Sequence, residues 1–220
     1  MLIAKEYISK VAQNLINDNP LAKQAYNEVS NSIIKNVTPG YNIFILNNTK
    51  KNCNGVVPVK ERCYQILEED YGWYREKPLS YFHDDVQKGG PIDVYKEFYQ
   101  NNDVFCAGLE FETGNISSAH RSMNKLCIGI AKGEIAIGFL MMPIKAMSFY
   151  LTDRVSNYEE LEPYFLLLDN TPFVIFGFGA EKYNPNAPLL PKGKDGMSPR
   201  TIRKWQDRQI FTKAKSSKGG

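Results

Sequence analysis

Histidine is nearly absent. The 220 residues hold only His83 and His120, and the four cysteines, Cys53, Cys63, Cys106 and Cys127, are widely spaced with no C-x-x-C pair. That excludes a structural zinc site, whose tetrahedral cage needs closely paired Cys and His, and it favours reduced thiols over a disulfide framework. Long hydrophobic runs are missing too. Stretches such as Ile135 to Pro143 fall far short of the roughly 20 apolar residues that cross a bilayer. The N-terminus lacks the basic, apolar, small-residue order of a secretion signal, so a cytoplasmic protein is expected. Neither an internal repeat nor a domain linker interrupts the chain. With 43% hydrophobic residues it can bury one core, and a single domain over residues 1–220 is expected.

The net charge is only +3, but it is unevenly spread. From Lys192 to Gly220 nine Lys or Arg stand against two Asp, an excess of +7 that leaves about −4 on the rest. A basic tail on a mildly acidic body suits a protein that meets a polyanion with one surface and keeps carboxylates for a metal on another. A basic tail also serves mere solubility, so charge alone does not decide.

Periodicity and punctuation give a coarse map. Ala4 to Ile34 reads as helix restarted at Asn19-Pro20, since proline opens a helix more readily than it continues one. Tyr41 to Leu46 reads as a short strand, Pro58 to Glu69 as helix, and Ile92 to Tyr95 as a run launched by the Lys88-Gly-Gly-Pro91 turn. Val104 to Glu112 reads as a strand whose alternate residues share a face, which puts Glu110 and Glu112 together. Its other face, with Phe105, Ala107, Leu109 and Phe111, is apolar, as a central strand requires. Asn115 to Ala131 switches to helical period, and Glu134 to Met142 is a second central strand. Ile144 to Leu151 and Tyr158 to Leu168 read as helices, and Phe173 to Gly179 as a third strand. Ser198-Pro199 would cap a basic helix to about Ile210. Interleaved strands and helices predict an α/β fold, a mixed central β-sheet flanked by helices on both sides.

The chemistry-bearing cluster is Pro91-Ile92-Asp93, sixteen intervening residues, then Glu110-Phe-Glu112. Hydrolysing a phosphodiester calls for a hard cation that stabilises charge on the phosphate and activates water, and such cations take carboxylate oxygens. This arrangement resembles the PD-(D/E)-x-K nuclease layout, with Glu112 where lysine usually stands. The same acids also fit a solvated strand end. What favours a nucleic-acid site is the next segment, where Asn115, Ser117, Ser118, His120, Arg121, Asn124 and Lys125 begin a helix suited to phosphates and base edges.

Several blocks make the likeness specific. Tyr71-Gly-Trp-Tyr-Arg-Glu-Lys-Pro-Leu79, Gly89-Gly-Pro-Ile-Asp-Val-Tyr-Lys-Glu-Phe98, Glu110-Phe-Glu-Thr-Gly-Asn-Ile-Ser-Ser-Ala-His-Arg-Ser-Met-Asn-Lys-Leu126, Tyr150-Leu-Thr-Asp-Arg-Val155 and Lys194-Asp-Gly-Met-Ser198 are similar to the BamHI restriction endonuclease family. The likeness runs from about Gln24 to Arg208. It implies a type II endonuclease with a restriction-endonuclease-like fold that cuts both strands of palindromic duplex DNA at GGATCC, after the first G, leaving four-base 5′ overhangs. Asp93 and Glu110 would then hold metal, with Glu76 contributing from the preceding helix and Glu112 binding metal or orienting water. Two Mg2+ ions per site are implied, with Mn2+ as a substitute, and no nucleotide cofactor. Base reading would fall to Asn115, Ser117, Arg121, Asp153 and Arg154. Arg as a partner of guanine and Asp as an acceptor from cytosine suit a G·C pair. Lys60 would lie near the DNA backbone, and Asp195, Gly196 and Met197 at the minor groove.

The resemblance also implies a homodimer, without membrane attachment, and a companion DNA methyltransferase in the host. A palindrome read by identical subunits calls for two-fold symmetry. The implied dimer seam is the helix after the Glu-x-Glu strand together with Tyr158 to Leu168. There Ala131-Lys132, Leu166 and Asp169 depart from the more charged set of the family. A DNA-binding protein that no longer cuts and a protein-interaction module are the competing readings, and the intact acids argue against both.

Overall fold

A computed structural model of the chain describes residues 1–79, 90–101, 103–152 and 155–192. Among these residues six strands form a mixed sheet in the order β1-β7-β6-β5-β4-β3. They are β1 (Leu2–Ile8), β3 (Tyr74–Lys77), β4 (Ile92–Gln100), β5 (Asp103–Phe111), β6 (Ile137–Pro143) and β7 (Phe173–Gly179). The central strands β5, β6 and β7 run parallel, while β1, β4 and β3 pair antiparallel at the flanks. A separate parallel pair joins β2 (Ile45–Leu46) to β8 (Lys182–Tyr183).

Every residue of β6 and β7 is buried, as expected where helices cover both faces of parallel strands. Alternation along the strands feeds two cores. One face sends Phe105, Ala107, Leu109, Phe111, Phe139, Phe176 and Phe178 against α1 (Lys10–Asp18), α2 (Pro20–Ile34) and α3 (Val57–Tyr71). The other packs Leu140, Met142, Phe173 and Ile175 against α4 (Ile116–Ala131), α6 (Tyr158–Leu161) and the 3-10 turn Glu162–Leu168. The mixed sheet with helices on both sides is thus as expected, and Glu110 and Glu112 share the face that looks toward α4.

Some boundaries differ from expectation. Ala4 to Ile8 is not helical but part of the edge strand β1, registered from Leu2↔Gly179 to Ile8↔Val174. The helix starts only after Ser9, whose Oγ accepts from the Ala12 amide at 3.1 Å. The helix does restart at Pro20, with Asn19 as its cap. The strand expected over Tyr41 to Leu46 shrinks to its last two residues, whereas β4 extends past Tyr95 to Gln100. Ile144 to Leu151 holds a single turn, α5 (Lys145–Ser148). Tyr158 to Leu168 splits into α6 and the 3-10 turn, because Pro163 lacks the N–H that would continue the α-helical ladder. The helix expected from Ser198 lies outside the described residues. All four cysteines are free, Cys53 and Cys63 buried, Cys106 and Cys127 half-buried.

A buried polar knot ties α2 to the sheet. Glu28, 6% exposed, accepts from Lys96 Nζ at 2.8 Å, from Trp73 Nε1 at 2.8 Å and from Gln24 Nε2 at 2.8 Å. Removing one partner of such a pair strands the other charge in a poorly solvated place, which costs more than losing both. Lys96→Met is therefore expected to destabilise the protein by about 3–5 kcal/mol, measured by denaturant unfolding. The double variant Glu28→Met/Lys96→Met should recover much of that loss; an additive double variant would contradict this account.

Candidate active site

The acids gather where β3, β4 and β5 run side by side. The antiparallel register of β4 and β5 ends at Val94↔Leu109, and one step further Asp93 faces Glu110. The Asp93 amide donates to Glu110 Oε1 at 3.0 Å, and the Phe111 amide returns a bond to Asp93 Oδ2 at 3.1 Å. On the far side the pairs Arg75↔Val94 and Lys77↔Ile92 bracket Glu76 and set it across from Asp93. Glu76 therefore stands on strand β3 and not on a helix, because Gly72, at φ +70°, ends α3 four residues earlier. Glu76 is exposed and holds a left-handed backbone, φ +57°, uncommon for a residue with a side chain. Three acids thus line up across three strands.

Two side chains that the sequence did not single out as site residues brace the central pair. Tyr64, from α3, donates its hydroxyl to Asp93 Oδ2 at 2.6 Å. Burial, then the neighbouring Asp93 carboxylate, hold that hydroxyl well above its usual range, so it stays a donor. Lys125, from α4, pairs with Glu110 Oε1 at 2.7 Å and donates to the Pro91 carbonyl at 2.6 Å. In sequence Lys125 belongs with the polar residues of its helix, yet it is buried against the acid. Burial, then Asp93, push the Glu110 carboxyl up to about 7, against the pull of Lys125.

The two carboxylates share a pattern. Each takes two donors on one oxygen, Oδ2 of Asp93 and Oε1 of Glu110. Among the described residues, the other oxygen of each is left for a further partner. Glu112 is held differently. Its Oε2 accepts from Ser122 Oγ at 2.9 Å, and its Oε1 accepts from the Gly114 amide. A Cβ at position 114 would lie 2.8 Å from Glu112 Oε1, so a larger residue there would displace that carboxylate. Among the described residues no three His, Cys, Asp or Glu side chains converge tightly enough to form a complete metal cage. The donor set nevertheless fits magnesium, which takes one or two carboxylates and completes its shell with water and substrate phosphate.

Beyond the acids lies the start of α4. Asn115 is its N-cap, with Oδ1 accepting from the Ser118 amide at 3.0 Å. Ser117, Arg121 and Asn124 are exposed and fall on one helical stripe. Lys60 lies over the Tyr64 ring, 5.4 Å from its centroid, and so close to the acids. Asp153, Arg154, Asp195, Gly196 and Met197 lie outside the described residues. Among the described residues no helix is long and apolar enough to cross a membrane.

The family model for restriction endonuclease BamHI matches residues 1–197. The chain belongs to the BamHI restriction endonuclease family. The type II restriction enzyme BamHI of Bacillus amyloliquefaciens is 56% identical over 209 residues, covering 94% of this chain and 98% of that one. The type II restriction enzyme OkrAI of Oceanobacter kriegii is 36% identical over 178 residues, covering 78% and 88%. Among solved structures, a BglII restriction endonuclease complexed with a DNA 16-mer superposes with a TM-score of 0.58, covering 80% of this chain and 78% of that one. At 11% identity that match speaks for the restriction-endonuclease-like fold alone.

Because the folded state raises the Glu110 carboxyl above its ordinary 4.5, it binds that proton more tightly than the unfolded chain does. The contribution to stability is complete below pH 4.5 and is lost as pH rises through about 7. In metal-free protein, Glu110→Gln should therefore flatten the fall of Tm across this window. Melting curves of wild type and variant that stay parallel over the whole window would refute the assignment.

Proposed function

We propose that this chain is a magnesium-dependent type II restriction endonuclease that cuts both strands of duplex DNA at GGATCC, after the first G. The observation that carries the reading is the pair Asp93 and Glu110, each bound on one oxygen and, among the described residues, with the other still to be used, in a chain of the BamHI family.

Asp93 and Glu110 are the residues to hold a divalent cation, with exposed Glu76 beside Asp93 able to turn inward. Two Mg2+ ions per site are expected, and Mn2+ should substitute. Bound there, such a cation neutralises charge on the scissile phosphate and lowers the pKa of a water. Glu112 takes the place of the usual lysine and orients the attacking water, its rotamer set by Ser122. Tyr64 and the backbone amides keep the acids from splaying apart under their mutual repulsion.

Specificity resides at the start of α4 and in Asp153-Arg154. Asn115, Ser117 and Arg121 project from the end of the helix nearest the acids, where the helix amides also favour phosphate. Arg154 suits guanine and Asp153 its paired cytosine. Lys60 meets the backbone, while Asp195, Gly196 and Met197 approach the minor groove.

A palindromic target calls for a homodimer. The faces that suit the seam are α4 and residues 158–168, where the Tyr164 ring packs edge-on against His120 at 4.4 Å and Leu166 and Leu167 are 71% and 66% exposed. Here apolar area takes the place of charge. Asp169 is already engaged by the Tyr7 hydroxyl at 2.9 Å. A cytoplasmic setting and a companion methyltransferase in the host follow from the same reading.

Incubating plasmid with the protein and Mg2+, then sequencing the ends, should return GGATCC sites with four-base 5′ overhangs. Asp93→Ala should lower the cleavage rate by orders of magnitude. Undiminished cutting by that variant would remove the mechanism, and a different end sequence would remove the site.

A further inference from the structure

We infer that Tyr64 is a positioning residue for the metal-binding carboxylate Asp93, an inference that rests on the cation reading of that acid. A buried aromatic on a core-facing helix is ordinary, and a phenylalanine would fill the same space. The hydroxyl is what calls for explanation. It leaves the apolar core to reach Asp93 Oδ2 at 2.6 Å, a bond that the packing of the ring does not require.

The ring itself has little freedom. Phe111 meets it edge-on, with centroids 6.1 Å apart and planes at 88°. The Arg75 guanidinium lies 5.0 Å from the ring centroid and Lys60 Nζ 5.4 Å. Arg75 is itself clamped, to Glu61 and to Glu68 at 2.7 Å each. A rigid donor thus fixes one oxygen of Asp93, and the Phe111 amide, 3.1 Å away, fixes the same oxygen from the strand side. With Oδ2 pinned twice, the Asp93 rotamer is set before any cation arrives, and Oδ1 is aimed and not searching. Donors behind a ligating carboxylate commonly matter about 10–100-fold for metal affinity. The neighbouring acid is braced in the same way by Lys125, so both ligands are organised from behind by groups that never touch the cation.

The test is Tyr64→Phe, which keeps the ring and its packing. Mn2+ is titrated calorimetrically into metal-free full-length wild type, Tyr64→Phe and Asp93→Ala, with a melting curve for each. The expected result is loss of Mn2+ binding in Asp93→Ala and a Kd raised about tenfold or more in Tyr64→Phe, with little change in its Tm. Raising Mn2+ should also recover most of the cleavage rate of Tyr64→Phe. A Kd within about twofold of wild type in Tyr64→Phe, while Asp93→Ala abolishes binding, would overturn the positioning role and leave the cation site standing. Wild-type-like Mn2+ binding by Asp93→Ala would overturn the cation site itself.

Discussion

Two carboxylates set against each other in a largely buried corner repel unless other groups take up their charge, and the site depends on how that repulsion is met. Asp93 and Glu110 are brought together by strand register, since each peptide step of β4 runs opposite a step of β5. The offsetting groups come from three directions: the Lys125 ammonium from α4, the Tyr64 hydroxyl from α3, and two amides from the strands themselves. The compensation is incomplete, and Glu110 retains a strong appetite for a proton. A divalent cation would satisfy the same appetite better. A site left short of positive charge is the physical root of a metal requirement.

The fold makes this corner part of a larger arrangement. β5 ends at Phe111, and within a few residues the chain turns into α4, so the acids and the start of that helix are separated only by the Glu112-to-Asn115 corner. Glu112 spans that corner, tying the strand end to Gly114 and to Ser122 on the helix. A shift of α4 would pull on Glu112 directly and on Glu110 through Lys125. If α4 is the recognition element proposed above, chemistry and recognition are mechanically adjacent, which suits an enzyme that should cut only what it has read.

Much of this was legible in the sequence, though unevenly. The central strand with Glu110 and Glu112 on one face followed from alternation, because an apolar set of Phe105, Ala107, Leu109 and Phe111 tolerates no other register. The helix from about Asn115 followed from its change of period, and the restart at Pro20 from local chemistry. The edge strand β1 did not, because it depends on pairing with β7 more than a hundred and fifty residues away, and short edge strands carry little pattern of their own. Glu76 was placed on a helix because the left-handed turn at Gly72 moves the chain from α3 into β3 within three residues. Tyr64 carries no signal, since it resembles any core aromatic, and Lys125 carries the wrong one, since in sequence it reads with the polar face of its helix. Only three-dimensional proximity gives them meaning.

The central claim is that Asp93 and Glu110 hold a divalent cation between their two remaining oxygens. Anomalous diffraction from crystals soaked in Mn2+ tests it directly. The account predicts a peak within about 2.0–2.3 Å of Asp93 and Glu110 carboxylate oxygens, with the Tyr64 hydroxyl still bound to Oδ2. A peak elsewhere, or a Mn2+ ion that touches neither carboxylate while Lys125 keeps its place on Glu110, would contradict it.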